Sequence, residues 1–268
     1  MTRIILKELF KRLNADCLCD TGYERDEQPM NVVLVFAGGT GQRMRNTACP
    51  KQFLELYGKP IIIYTLEIFQ NHPQIDAIVV PCVEGWHDHL RQLAEKYGIT
   101  KLLKIVPGGR TSQESKLSAL WALKDVCKPD DIVLMHDAVR PLITAKVIDD
   151  NLESVKKFGN AITVDPFTET GIISEDGNTV EATIERRKLY IAKAPQTFYY
   201  KDVLEAHEAA QTMPDTTTID TCTIMTALGK QLYFVPCDCS NIKITTPEDY
   251  YIFKALYDLR ERNSVLGL

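Results

Sequence analysis

Residues 35–53 read VFAGGTGQRMRNTACPKQF: an apolar run stops at two glycines, and Arg43, Arg45 and Lys51 follow. A tight turn needs glycine but has no use for three cations, so the composition points to a strongly anionic ligand. Without Cβ atoms at Gly38, Gly39 and Gly41, backbone N–H groups approach a phosphate chain closely, and Arg43 and Lys51 neutralise its charge. The loop is not a Walker A motif, because G-x-x-x-x-G-K-[ST] is absent. As a dinucleotide fingerprint it also fails. Met44 stands where the third glycine belongs, and no acid ends the next apolar run, DAIVVPC, to hold a ribose. Those two gaps count against a nicotinamide-dependent oxidoreductase, the competing enzyme class.

Two more segments carry chemistry. HDAVRP, residues 136–141, puts Asp137 at the tip of the apolar run DIVLM. A carboxylate beside phosphates is repelled unless a cation lies between them. Mg²⁺, a hard ion taking one or two carboxylates plus phosphate oxygens, suits that position and makes Asp137 the candidate metal ligand. The plainer alternative is a turn-forming or capping Asp. The segment NIK leads into TTPED and places Lys243 just before a helix start. By itself that is an ordinary solvated lysine; beside an anion loop it is a further cation.

These residues need elements to hold them. From residue 31 the chain alternates: NVVLVFA, DAIVVPC, LLKIV, DIVLMHD and NAITV read as buried strands. Between them PIIIYTLEIFQNH, WHDHLRQLAEKYG, TSQESKLSALWALKDV and AKVIDDNLESVKKFG read as helices. Strand–helix alternation at this spacing predicts βαβ units and a mostly parallel, Rossmann-like α/β sheet with helices on both faces. Ligands then bind outside the carboxyl ends of the strands. Residues 167–193 break the rhythm with two short β-like stretches around the turn Glu175-Asp176-Gly177-Asn178. They predict a protruding hairpin arm, which is marginal alone and expects a second subunit. KDVLEAHEAAQTM, a helix around 219–228, the strand QLYFVP and a helix opening at TTPED complete one domain over 30–268. Residues 1–29 read as an extension, with a short amphipathic helix IILKELFKRL followed by a polar linker.

The chain has 268 residues, a net charge of −5 and 45% hydrophobic residues. That acidic balance gives no basic footprint for a nucleic-acid duplex. The longest apolar runs are too short for a membrane span. Eight cysteines lack zinc-ligand spacing, and read as reduced and mostly buried they point to the cytoplasm. His87-x-His89 reads as a surface pair.

In order, A-G-G-T-G-Q-R-M … P-K-Q-F, H-D-A-V-R-P, A-P-Q-T-F and N-I-K-I-T-T-P-E-D resemble one family over roughly residues 31–262. It is the cytidylyltransferase group that includes 2-C-methyl-D-erythritol-4-phosphate cytidylyltransferase and ribitol-5-phosphate cytidylyltransferase. The resemblance implies a nucleotide-diphospho-sugar transferase-like fold. It also implies Mg²⁺-dependent reaction of CTP with a polyol phosphate, giving a CDP-alcohol and pyrophosphate. Arg43, Lys51 and Lys243 match the family's catalytic cations, Asp137 its metal ligand and Arg140 a residue at the acceptor phosphate. Ala37, Gly38, Gly39, Gly41, Gly109, Ser115 and Ala138 match positions around CTP. Thr170 and Arg186 match contacts that the arm supplies across a homodimer, with Arg187 adjacent to the second of them. Arg45 matches no role. Where the family commonly has an Arg after G-G, this chain has Ser112; where the methylerythritol enzymes have Thr, it has Ala194 and Ile219. The loss of two hydroxyls beside the polyol, and one residue more before P-K-Q-F, favour a ribitol-type acceptor over methylerythritol phosphate. A role in cell-surface polymer precursors would follow.

Overall fold

The computed structural model describes residues 28–39, 49–213, 220–238 and 240–266. The predicted amphipathic helix in residues 1–29 lies outside them. The central sheet has seven strands in the order β11-β7-β10-β6-β1-β4-β5. In chain order these are β1 (Asn31–Phe36), β4 (Ala77–Cys82), β5 (Leu102–Pro107), β6 (Ile132–Asp137), β7 (Asn160–Pro166), β10 (Tyr190–Tyr199) and β11 (Phe234–Pro236). β1 pairs in parallel with β4 and β6, β4 with β5, and β11 with β7. β10 alone runs antiparallel, against both β6 and β7. The short pair β2 (Glu55–Leu56) and β3 (Lys59–Pro60), and the hairpin β8 (Gly171–Ile173) and β9 (Ala182–Ile184), stand apart.

Strand periodicity sorts the core into layers. On β1, Val33 and Val35 face one side and Val32 and Leu34 the other. The first face is covered by α1 (Ile61–Asn71), α2 (His87–Lys96) and α4 (Ala145–Phe158), through residues such as Leu66, Phe69, Leu90 and Leu152. The second is covered by α3 (Ser112–Trp121), α5 (Tyr200–Ala209) and α6 (Thr221–Ala227), through Leu120, Val203 and Ile224. α7 (Pro247–Leu266) packs Phe253 against Ile61, Tyr64 and Ile244 in a third cluster. The helix starts carry the expected chemistry. Thr111, Thr144 and Asp220 cap α3, α4 and α6 through their side chains. Among the described residues no helix is long and apolar enough to cross a membrane.

The fold is therefore the expected mostly parallel α/β sheet, with one difference. The return from the arm joins the main sheet at Tyr190, which pairs with Pro166, so residues 190–193 belong to β10 and not to the arm. The ladder between β10 and β7 is interrupted between Ala192 and Gln196.

Candidate active site

The carboxyl tips of β1, β4, β5 and β6 open into a cleft of about 690 Å³. Two glycine loops make its floor. A Cβ on Gly108 would stand 3.0 Å from the Cys82 carbonyl oxygen and 3.0 Å from Gly38 Cα, so the two loops touch backbone to backbone. A Cβ on Gly109 would come within 2.2 Å of Glu114 Cβ and 2.7 Å of its carbonyl carbon, at the first turn of α3. Ser115 works inward: its Oγ accepts from the Gly109 N–H at 2.9 Å and donates to the Thr111 carbonyl at 3.0 Å, which fixes the loop's shape. Gln52 clamps the first glycine turn, its amide donating to the carbonyls of Ala37 at 2.6 Å and Gly39 at 3.2 Å. The sequence shows Gln52 inside P-K-Q-F, but only the fold gives it this positioning role.

The cations come from far apart in the chain. Lys51 Nζ donates to the carbonyl of Ile244, 193 positions on, at 2.9 Å. The Ile244 N–H donates to the Val139 carbonyl at 2.9 Å, and Arg140 Nη1 to the Asn241 carbonyl at 2.9 Å. Residues 241–245 are thus stitched to the loop after β6, and Lys51 and Lys243 line the same cleft. Asp137 sits between cations: Oδ2 accepts from Arg140 Nε at 2.8 Å and Oδ1 from Lys243 Nζ at 2.9 Å. Burial pushes its carboxyl up, but Lys243 and Arg140 outweigh that and hold it well below the usual carboxylate range. Among the described residues no three His, Cys, Asp or Glu side chains converge on a common point. An ionised carboxylate facing an anion cleft fits a hard cation that takes its remaining ligands from phosphate and water.

A second pocket of about 190 Å³ adjoins the first and shares Phe36, Ser112, Asp137 and Lys243 with it. Arg140 lines this smaller pocket, together with Lys116, Lys193, Ala194, Gln196 and Asp220. The break in the β10 ladder brings Lys193 and Ala194 to it. Lys193 pairs with Asp165 at 2.6 Å and Lys116 with Asp220 at 3.3 Å. His136 borders the pocket too, burial having pulled its imidazole down to about 4. Sequence reasoning missed Lys116 and Lys193. A lysine between Ser and Leu in the middle of SQESKLSALW was the available signal for the first; the second fell in a stretch assigned to the arm.

The structure brings together Ala37, Gly38, Gly39, Lys51, Gly109, Ser115, Asp137 and Lys243 at the large cleft and Arg140 at the small one. Ala138 lines neither: its N–H donates to Phe36, its carbonyl accepts from Thr65 Oγ1, and it spaces Asp137 from Arg140. Thr170 and Arg186 are exposed on the arm and line neither pocket of their own chain. Arg43, Gly41 and Ile219 lie outside the described residues.

Two anion sites meeting at one carboxylate and one lysine suit the joining of two phosphorylated substrates, as a nucleotidyltransferase joins them. The model of the 2-C-methyl-D-erythritol 4-phosphate cytidylyltransferase (IspD) family matches residues 31–258, and the chain belongs to that family. It is a nucleotidyltransferase of the cytidylyl class, for which CTP is the nucleotide substrate. A ribitol-5-phosphate cytidylyltransferase of Vibrio parahaemolyticus is 47% identical over 89% of this chain and 100% of that protein. A 2-C-methyl-D-erythritol 4-phosphate cytidylyltransferase of Clostridium botulinum is 38% identical over 82% of this chain and 93% of that one. The crystal structure of a 4-diphosphocytidyl-2C-methyl-D-erythritol synthase from Anaerococcus prevotii superposes with a TM-score of 0.73 at 24% identity, covering 86% of this chain and 99% of that one.

Proposed function

We propose that the chain transfers CMP from CTP to ribitol 5-phosphate, giving CDP-ribitol and pyrophosphate. The observation that carries this reading is the pair of adjoining pockets, divided by Asp137 and Lys243. The similarity to a ribitol-5-phosphate cytidylyltransferase over that protein's whole length supports the acceptor. So does Ala194, which offers the small pocket a methyl group where the methylerythritol enzymes are expected to carry a hydroxyl.

An acceptor phosphate oxygen attacks the α-phosphorus of CTP, the bond from that phosphorus to the bridging oxygen breaks, and pyrophosphate leaves. The nucleophile is already anionic, so no general base is needed. What must be overcome is repulsion between a dianion and a triphosphate, and fixed cations at the point of contact do that. Lys51 and Lys243 stand in the nucleotide cleft, with Arg43 assigned beside them by resemblance. Arg140 is immobilised by Asp137 and Asn241 and presents its charge to the acceptor phosphate. Asp137 would hold Mg²⁺, which supplies charge neutralisation on the phosphates when bound. The glycine loops and Ser115 keep backbone N–H groups fixed around the nucleotide. The arm fits a homodimer in which Thr170 and Arg186 reach the neighbouring site. We assign the enzyme to the cytoplasm, where it would make precursors for a cell-surface polymer.

The test is pyrophosphate release from CTP and Mg²⁺ with ribitol 5-phosphate, methylerythritol phosphate or glycerol 3-phosphate. Ribitol 5-phosphate is expected to give the highest kcat/KM. Preference for methylerythritol phosphate would overturn the acceptor, and silence with every acceptor would overturn the activity.

A further inference from the structure

We propose that Lys116, held in place by Asp220, reads the hydroxyl groups of the acceptor polyol that lie beyond its phosphate. This rests on the acceptor reading given above and deepens it. Besides Lys193, which is paired with Asp165 at 2.6 Å, two separate charged clusters line the small pocket. One is Asp137, Arg140 and Lys243; of these, Asp137 and Lys243 also line the nucleotide cleft. The acceptor phosphate must sit there, because it has to reach the α-phosphorus. The other is Lys116, Asp220 and Gln196, none of which lines the nucleotide cleft. The rest of the acceptor extends from the first cluster, and the second is built to meet it.

The two partners in that second cluster differ in what they have left to offer. Asp220 is saturated. Its Oδ1 accepts from the Thr221 N–H at 2.9 Å and from Lys116, and its Oδ2 accepts from Gln196 Nε2 at 2.6 Å and Cys222 Sγ at 3.5 Å. Gln196 is held in turn, its Oε1 accepting from the Cys222 N–H at 3.0 Å. Asp220 is therefore a positioning residue with no acceptor lone pair to spare. Burial raises its carboxyl, and the Lys116 charge with the Gln196 and Thr221 hydrogen bonds more than reverses that.

Lys116 is the opposite case. It is 9% exposed and has three ammonium donors, and its bond to Asp220 is long at 3.3 Å. A buried ammonium is costly unless its donors are satisfied. Lys116 lines the small pocket, so the donors not used by Asp220 are available to a polyol placed there. Ala194 lines the same space without a hydroxyl, so recognition of acceptor hydroxyls falls to another group there, and Lys116 is placed to provide it. An ammonium donating to hydroxyl oxygens discriminates by chain length and hydroxyl number, because an acceptor too short to reach it forgoes the hydrogen bonds from its remaining donors.

The experiment compares wild type and Lys116→Met with ribitol 5-phosphate and with erythritol 4-phosphate, which is shorter by one hydroxyl-bearing carbon. For ribitol 5-phosphate, kcat/KM should fall roughly 10- to 100-fold, mostly through KM, as expected for one lost hydrogen bond to a charged group. For the shorter acceptor it should stay within error, as should KM for CTP, so the preference between acceptors collapses. An equal fall with both acceptors would mean that Lys116 serves the phosphate, and no fall would mean that it is structural; either overturns the proposal. Should Lys116→Met fold poorly, Asp220→Asn keeps the helix cap and should raise KM for ribitol 5-phosphate without changing KM for CTP. If wild type itself ignores ribitol 5-phosphate, the acceptor reading falls and takes this inference with it. Wild type active and Lys116→Met unchanged removes the inference alone.

Discussion

At the scale of single residues, the site separates groups that hold charge from groups that hold shape. Lys243 belongs to the first kind. Its side chain is 42% exposed, and the carboxylate it pairs with, Asp137, keeps a second cation in Arg140, so losing Lys243 costs folding little. Lys243→Met should lower kcat by about 10²- to 10³-fold, the usual cost of one fixed donor at developing charge. Its melting temperature should stay within about 2 °C of wild type, and a collapse of that temperature in calorimetry would make the residue structural instead. Gly109 belongs to the second kind. A methyl group there meets the backbone of Glu114, which cannot move without shifting the start of α3. Gly109→Ala should therefore raise KM for CTP and lower the melting temperature together, whereas Lys243→Met separates the two readouts.

At the scale of elements, the strands and helices that carry the site follow from the pattern of apolar residues. NVVLVF and IVLMHD are buried on both faces and pair in register from Asn31↔Ile132 to Phe36↔Asp137, which delivers Asp137 to the sheet's upper edge beside the glycine turn. The strand that escaped is β10. Tyr190–Tyr199 carries Lys193 and a Pro in its middle, and Pro argues against a central strand because it cannot donate to a ladder. The structure resolves that conflict by interrupting the ladder to β7 there and lining the small pocket with the freed residues. The small pocket was hard to read in the sequence for the same reason. Its residues come from the end of β1, α3, β6 and the loop after it, β10, the start of α6 and the segment before α7, and only tertiary pairing unites them. The hairpin β8–β9 was legible from its turn, and it leaves Ile172 and Val180 more than half exposed. A two-stranded ribbon with that surface is marginal by itself, which fits the proposed contact with a second subunit. If the arm crosses to a second subunit, Arg186→Ala and Lys243→Met damage sites in different ways and can complement. Mixed one to one with exchange of subunits, the two inactive variants should recover about a quarter of wild-type activity, since half the dimers are mixed and each has one intact site. No recovery, with exchange verified by sedimentation of a tagged subunit, would place Arg186 in its own chain's site.

At the scale of the whole molecule, the reaction needs a scaffold that keeps cations near one another, and its stability has a predictable dependence on acid. His207, on the inner face of α5, is fully buried, its Nε2 3.1 Å from Thr221 Oγ1 and its Nδ1 without a partner among the described residues. The charged groups facing it are Lys116, which disfavours a protonated ring, and Asp220, which favours one. Burial dominates, and with Lys116 it pulls the imidazole down to about 3 from an ordinary 6.5. Because the folded state excludes a proton that the unfolded chain accepts, this contribution is fully present above pH 6.5. It is lost progressively as pH falls from there toward 3. Unfolding at pH 5 should take up about one proton on this account, a loss of roughly 1.4 kcal/mol per pH unit. His136, pulled down to about 4 by burial, adds a similar contribution, so urea titrations from pH 7.5 to 4.5 should show both, and His207→Gln, which keeps a polar partner for Thr221 but cannot titrate, should remove the part due to His207, roughly half of the slope near pH 5. Equal slopes in the two proteins would mean that other groups govern acid stability. α5 and α6 pack on the same sheet face as α3, which carries Lys116, so loss of stability by this route should begin at the small pocket. Reversible loss of affinity for ribitol 5-phosphate is therefore expected at a higher pH than loss of affinity for CTP, measured by titration calorimetry on the intact enzyme.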